Sequence, residues 1–302
     1  MFARIRCLGM LFLVCTSAAA QESQQMRRLP LRVFQDKMKG GWLGQMIGFG
    51  QTHGAQADKQ MQTEAERIVS QYKTVFNAPP GGVPSRDSAR GPLLGNGDLG
   101  TVISGKPESQ RFWISKNNFW RLKDGHRMGG PRLFGVMEIN IPSLAGSTYL
   151  IEQQLYPAIT TSRFSKGEST VTMRSLVAAT EDVLLVELSV TGKPVEVETR
   201  LWSAPGRGSK ESLGRKDGVL WATKAFAEEK IPTAAACVLT VIGGKVTIPE
   251  LEPVVEGAIL NPQPKRPKPR KAQSQPGTKF TLLPGQKVTV AVAMQSLSLI
   301  HI

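Results

Sequence analysis

The chain has 302 residues, 40% of them hydrophobic, which is enough for one large or two ordinary domains with a packed core over most of the length. Its net charge is +14 and its pI about 9.9, yet no Lys/Arg-rich helix and no interleaving of aromatic with basic residues argues for a nucleic-acid module. Part of the excess sits in residues 262–279, "PQPKRPKPRKAQSQPGTK", a Pro-rich basic stretch with no acid. This reads as a solvated loop, with an anion-binding patch as the alternative.

The elements follow in chain order. Arg4 and Arg6 precede the apolar run "CLGMLFLVC", and "TSAAA" supplies small residues before Gln21. That is the order of a secretory signal peptide over residues 1–20. The run is too short to span a bilayer, so the expectation is an exported protein, periplasmic or secreted, with no membrane association after cleavage. Cleavage removes Cys7 and Cys15 and leaves Cys237, within "AACVLTVI". A single cysteine forms no intrachain disulfide, and its apolar neighbours predict a buried strand position.

Residues 21–80 are expected to form a helical leader. Phe34, Met38, Trp42 and Met46 recur every four residues, and Gly40, Gly44 and Gly48 mark another side of the same turns. In the next segment Asp58 caps "KQMQTEAERIVSQYKTVF". Ala65, Ile68, Val69, Tyr72, Val75 and Phe76 form one apolar stripe there, and Pro79-Pro80 end it.

From about Leu99 the period changes from 3.6 to 2. Val171, Met173 and Val177 share one face, as do Leu184, Val186, Leu188 and Val190. Val195, Val197 and Leu201 oppose Glu196, Glu198 and Arg200, and Val288, Val290, Val292 and Met294 align. Turn dipeptides stand between these runs: Lys166-Gly167, Thr191-Gly192, Asp217-Gly218 and Pro284-Gly285. About ten short strands without long intervening helices predict a mainly β fold, a large antiparallel β-sandwich over residues 81–300. The chain stops at "AMQSLSLIHI", directly after a strand, and is expected to be a truncated fragment.

Residues 91–120, "GPLLGNGDLGTVISGKPESQRFWISKNNFW", carry a glycine cluster. A phosphate loop would need Gly-Lys-Ser/Thr, which is missing, and a dinucleotide fingerprint needs a helix after the glycines, where "TVISG" has strand character. A tight entry turn is the simpler account. No cofactor is called for. The three histidines, His53, His126 and His301, have no ligand partner at i+4, so no metal site is expected. No Gly-x-Ser-x-Gly nucleophile motif is present.

The segment resembles the opening of the N-terminal β-sandwich of glycoside hydrolase family 95, the α-fucosidase group, and is less similar to the allied family 65. Pro92, Gly95, Asn96, Gly97, Leu99, Gly100, Asn117 and Trp120 match the family's order. "RLFGVMEINIP" and residues 156–190 look like its next strands and core hairpins. The chain departs from the family at Asn118 and Phe119, where an acid is common, and that departure bears on fucose specificity. The resemblance implies a sandwich that supports an (α/α)6 barrel carrying the catalytic acid and the water-activating group. Those residues would lie beyond Ile302, so no catalytic residue is assigned in this chain.

Substrate contact is expected at a rim formed by Asn96, Asp98, Asn117, Asn118, Trp120 and His126, with Asp124 nearby. Sugar sites place amide and acid side chains beside an aromatic face. The simpler account has Asn117 and Asn118 in a turn and Trp120 in the core. Two further readings stand beside the first: a stand-alone carbohydrate-binding or structural β-module, and an ADP-ribosylglycohydrolase-like protein with a β appendage. The last rests on "DKMKGGWLGQMIGFG", residues 36–50, which resembles the first helix of that group. The partner expected in the full-length protein is a glycan, with no nucleic acid, and the sequence leaves the oligomeric state open.

Overall fold

In the computed structural model the described residues are 64, 66–82, 84, 89–121, 130–203, 209–226, 233–247, 250–251 and 275–298. All described residues belong to one compact unit, within Lys37–Ile302. The signal segment, the expected glycine-stepped helix at 33–50, Asp124, His126 and residues 262–274 of the expected basic Pro-rich loop lie outside them; the rest of that expected loop, Gln275–Lys279, is strand instead, paired with its neighbour in a sheet.

Two antiparallel sheets build the fold. The first runs, in spatial order, β1 (Lys73–Phe76), β6 (Leu150–Gln154), β7 (Ile159–Lys166), β8 (Ser169–Val177), β9 (Val183–Thr191), β16 (Lys287–Ser298), β13 (Thr233–Ile242), β12 (Val219–Phe226) and β11 (Lys210–Lys216). The second runs β14 (Glu250–Leu251), β15 (Gln275–Leu282), β10 (Val195–Ser203), β5 (Gly130–Asn140), β4 (Ser109–Arg121), β3 (Leu99–Lys106) and β2 (Leu93–Gly95). The expected β-sandwich is therefore present, with more strands than the sequence periods alone marked out.

Alternation sets which side chains enter the core. In β9 and β12 every second residue is buried. The β9 and β16 ladder pairs Leu188 with Val288, Val186 with Val290 and Leu184 with Val292. A slip of one residue in either strand would carry its three side chains to the opposite face, so the register is strongly specified. Fully burying each such side chain contributes roughly 1.5–3 kcal/mol. The resulting core is continuous between the sheets, from Phe112, Ile139 and Leu201 on one side to Phe164, Val186 and Val290 on the other. Cys237 lies within it, on β13, where burial raises its thiol pKa well above the ordinary value. A second, smaller cluster of Trp113, Val136 and Trp202 belongs to the other face of the seven-stranded sheet.

The four expected turn dipeptides all fall at strand ends. At Asp217-Gly218 both residues take positive φ, 50° and 79°, as a two-residue hairpin turn of the type I′ family requires. The helix expected from Asp58 to Phe76 is a correction. Residues 64 and 66–69 are helical, Ser70 N–H donates to Glu66 O at 2.9 Å, and the last turn closes with Tyr72 N–H on Val69 O at 3.1 Å. Lys73–Phe76 instead pairs with β6, Phe76 opposite Ile151. Val75 and Phe76 fitted a helical stripe, but a β-branched and an aromatic residue beside an unpaired strand edge are drawn into the ladder, where tertiary context outweighs propensity.

Tyr149 packs against Phe164 at 5.4 Å between ring centroids, and its hydroxyl is buried without a hydrogen-bond partner. Burial pushes its pKa up to about 12. Tyr149→Phe removes an unsatisfied polar group, so stability at neutral pH should hold or rise by up to about 1 kcal/mol. The folded phenol resists ionisation while the unfolded one titrates at its ordinary value near 10. The native protein should therefore lose stability above that pH relative to the Phe variant. Thermal melts of both between neutral pH and pH 11 check the sign.

Candidate functional site

β2 ends at Gly95, and the chain reverses through Asn96, Gly97 and Asp98 into β3. Gly97 holds φ at 93°, which a side chain would strain. The Asn96 carboxamide organises this turn. Its Oδ1 accepts the backbone N–H groups of Asp98 at 2.9 Å and Leu99 at 2.8 Å. Its Nδ2 donates to the carbonyl oxygens of Ala178 at 2.9 Å and Glu181 at 3.1 Å. Those two carbonyls belong to the connection between β8 and β9, in the opposite sheet. One amide side chain thus closes its own turn and pins the two sheets together.

Lys116 makes the second inter-sheet tie. Its side chain is 4% exposed, and its ammonium group contacts both the Asp98 carboxylate and Asp182 Oδ2, the latter at 2.8 Å. Asp182 sits beside Glu181 in the β8–β9 connection, and its carbonyl accepts Met294 N–H at 3.0 Å. Asp98 and Asp182 remain partly exposed, at 48% and 30%. A buried ammonium group needs anionic partners, and here they come from both sheets.

The same stretch breaks the ladder of β4. Ser115 lies opposite Leu133, but the next pair is Trp120 opposite Pro131. Lys116, Asn117, Asn118 and Phe119 therefore face a single residue, Arg132, and the strand bulges. Lys116 and Phe119 turn inward, while Asn117 and Trp120 turn out. Phe119 is fully buried, with ring centroids 6.3 Å from Phe134 and 5.7 Å from Phe226. Trp120 is 36% exposed. Phe119, not Trp120, is the aromatic residue that fills the core, and the two asparagines lie in a bulged strand rather than a turn.

The bulge is tied down on several sides. Asn117 N–H donates to Asp98 O at 2.7 Å, and Trp120 Nε1 donates to Asn117 O. Ser296 Oγ donates to Asn118 Oδ1, and Thr233 Oγ1 donates to Trp120 O at 2.7 Å. Five of the six expected rim residues thus meet at one end of the sandwich, while His126 lies outside the described residues. They divide by role. Asn96 and Asn118 are committed to inter-sheet bonds, and Asp98 is shared between Lys116 and solvent. Only Asn117 and Trp120 present side chains outward with capacity to spare.

Sequence reasoning passed over Lys116 and Asp182. A signal for the lysine was present in "FWISKNN": Phe112 and Ile114 mark the inward face, and Lys116 continues that alternation. Nothing local marked Asp182 as its partner. Asp182 belongs to the Lys116 tie, and Glu198 is mostly buried and paired with Arg200 and Lys279. Among the described residues no group of three or more His, Cys, Asp or Glu is placed to hold a metal ion, and no helix is long and apolar enough to cross a membrane.

The fold and this closed end define a large antiparallel β-sandwich whose glycine-rich motif is an inter-sheet clasp. No protein-family model matches the chain, and no curated protein matches it. Among solved structures its neighbours are glycoside hydrolase-family proteins. One is assigned as a kojibiose phosphorylase from the human microbiome, at 11% identity and a TM-score of 0.45, over 76% of this chain and 33% of that one. Another is a family GH92 α-mannosidase from Bacteroides thetaiotaomicron, at 9% identity and a TM-score of 0.27, over 72% of this chain and 31% of that one. The same mannosidase with mannoimidazole matches at 10% identity and a TM-score of 0.23, over 67% and 29%. The chain spans about a third of the length of the structures it matches.

Proposed function

We propose that this chain is the non-catalytic N-terminal β-sandwich portion of an exported, family 95-like glycoside hydrolase that acts on a glycan. In this reading it supports an (α/α)6 catalytic barrel that lies outside these residues, and it touches the glycan at the clasped end of the sandwich.

The geometry of the bulge carries the proposal. The indole nitrogen of Trp120 is tied to the Asn117 carbonyl, so the ring is fixed while part of it stays open to solvent. The Asn117 carboxamide makes no hydrogen bond among the described residues, and the Asn117 backbone N–H donates to the Asp98 carbonyl, which brings the half-exposed Asp98 residue alongside. An oriented aromatic face beside a spare amide and an acid is a combination that sugar rings use. The clasp fixes the backbone that carries all three, which lowers the ordering cost of binding.

The carboxylates of this site and of the neighbouring sheet support a supporting rather than a catalytic role. Asp98 and Asp182 share Lys116, Glu138 pairs with Arg111, and Glu198 pairs with Arg200 and Lys279. A carboxylate held as an ion pair is a poor proton donor to a leaving group, and glycoside hydrolysis needs such a donor opposite a second carboxyl group.

The test uses the purified chain with a panel of oligosaccharides. No turnover is expected, together with weak binding that quenches tryptophan fluorescence. Trp120→Ala should weaken binding at least tenfold, a loss of about 1.4 kcal/mol, with the melting temperature nearly unchanged because the side chain is partly exposed. Hydrolysis by this chain alone would overturn the non-catalytic assignment. Absence of Trp120-dependent quenching with every oligosaccharide, or quenching whose midpoint is untouched by Asn117→Ala, would remove the rim.

A further inference from the structure

A second polar surface lies far from the rim, on the other face of the seven-stranded sheet. Arg111, Glu138 and Arg200 stand side by side across β4, β5 and β10. The adjacent row holds Ser109, Asn140, Glu198 and Lys279, the last from β15. Glu108 and Pro142, from the chain turns on either side, border them and complete an open groove of about 440 Å³. From Ser109 to Asn117 the strand advances roughly 25 Å, so the groove and the rim are separate sites.

The groove is internally neutralised. Glu138 Oε1 accepts Ser109 Oγ at 2.9 Å and Arg111 Nε at 3.0 Å. Glu198 Oε1 accepts Arg200 Nε at 2.8 Å, and its Oε2 lies 3.3 Å from Lys279 Nζ. Glu108, Glu138 and Glu198 thus balance Arg111, Arg200 and Lys279 in charge. A solvated sheet face would leave such side chains in water, yet Glu138 is only 5% exposed. Its Oε2, the Arg111 Nη groups and the Asn140 carboxamide nevertheless make no hydrogen bond among the described residues.

This chemistry narrows the ligand. An anion would gain little here, because the groove carries no net positive charge and each guanidinium already pairs with a carboxylate through its Nε. A protein partner would look for aromatic or aliphatic anchors, and among the described residues Pro142 is the sole apolar side chain lining the groove. What remains is a concave surface with one spare acceptor, one spare guanidinium fork and one spare amide, electrically balanced. Neighbouring hydroxyls of a sugar ring can donate to the acceptor and accept from the fork. We propose that this groove is a carbohydrate-binding surface for a neutral sugar unit, independent of the Trp120 rim.

The test titrates the full chain, labelled for amide NMR, with neutral hexoses and their oligosaccharides, and separately with inorganic phosphate. Saturable shifts of the Ser109, Glu138 and Asn140 amides are expected with a neutral sugar, at millimolar affinity appropriate to a small ligand. Asn140→Ala breaks no hydrogen bond within the described fold and should weaken this binding about fivefold or more, and Trp120→Ala should leave it unchanged. No saturable shift with any neutral sugar, shifts with phosphate alone, or affinity untouched by Asn140→Ala would each overturn the proposal. Loss of groove binding would not bear on the rim, which the Trp120 variant tests by itself.

Discussion

Asn96→Ala is expected to destabilise the folded chain by about 2–4 kcal/mol, from loss of at least four hydrogen bonds near 1 kcal/mol each. Two N–H groups of the turn and two carbonyls of the opposite sheet lose their partner together. The carbonyls of Ala178 and Glu181 feel it most, because their connection depends on a side chain 82 residues away for Ala178 and 85 for Glu181. Asn96→Asp separates the two halves of the interaction. It keeps the acceptor for Asp98 and Leu99 but sets a carboxylate against two carbonyl oxygens. Its loss should match or exceed that of alanine at neutral pH and shrink below about pH 4, where the aspartate can protonate. Urea unfolding measures both. A shift of the midpoint without a change in slope is expected, since the buried surface is unchanged. A loss under 0.5 kcal/mol for the alanine variant, ordinary for a surface site, would show that the clasp does not hold the sheets.

Lys116→Met is expected to cost about 2–3 kcal/mol. The apolar replacement fills the space but leaves two carboxylates facing each other. The cost stays below that of a wholly buried pair, because Asp98 and Asp182 retain 48% and 30% exposure and so keep part of their hydration. A second round of substitutions makes the assignment specific. Adding Asp98→Asn and Asp182→Asn to Lys116→Met should return part of the loss, since the repulsion disappears, and the cycle gives the coupling.

The pH dependence has a definite sign. Burial lowers the Lys116 pKa, while hydrogen bonds and charge from Asp182 and Asp98 raise it by more, so the net shift is upward from about 10.5. A lysine with a raised folded pKa gives its full stabilisation below the unfolded value and loses it as pH rises through the folded one. The gap between the native protein and Lys116→Met should therefore be flat from pH 7 to 10 and close above about 10.5. A gap that narrowed between pH 7 and 9 would contradict the tie.

Much of this architecture was legible in the residues. Period-two alternation in "VLLVELSV" and "KVTVAVAM" marks strands and their buried faces, because each β residue points to one side whatever it later pairs with. Asp217-Gly218 marks a hairpin because few other dipeptides accept two positive φ values. Cys237 reads as buried from its neighbours alone. These signals are local, so the chain carries them before it folds.

Other features had no local signal. β16, near the end of the chain, inserts between β9 and β13 in the middle of its sheet, and no pattern in "KVTVAVAM" names those neighbours. Of two adjacent aromatic residues, Phe119 went inside and Trp120 out because a bulge interrupts the alternation between Ser115 and Trp120. Lys73–Phe76 became a strand because β6 offered an edge. Asn96 and Asn118 were expected at a substrate rim by residue type, yet both proved to be braces, since their hydrogen-bonding groups found backbone and hydroxyl partners across the sandwich. By itself, then, the sequence determined strands, turns and faces, which depend on neighbours one or two residues apart. The order of strands and the clasp at Asn96 and Lys116 were left to tertiary structure, because they depend on groups brought together only when the two sheets close.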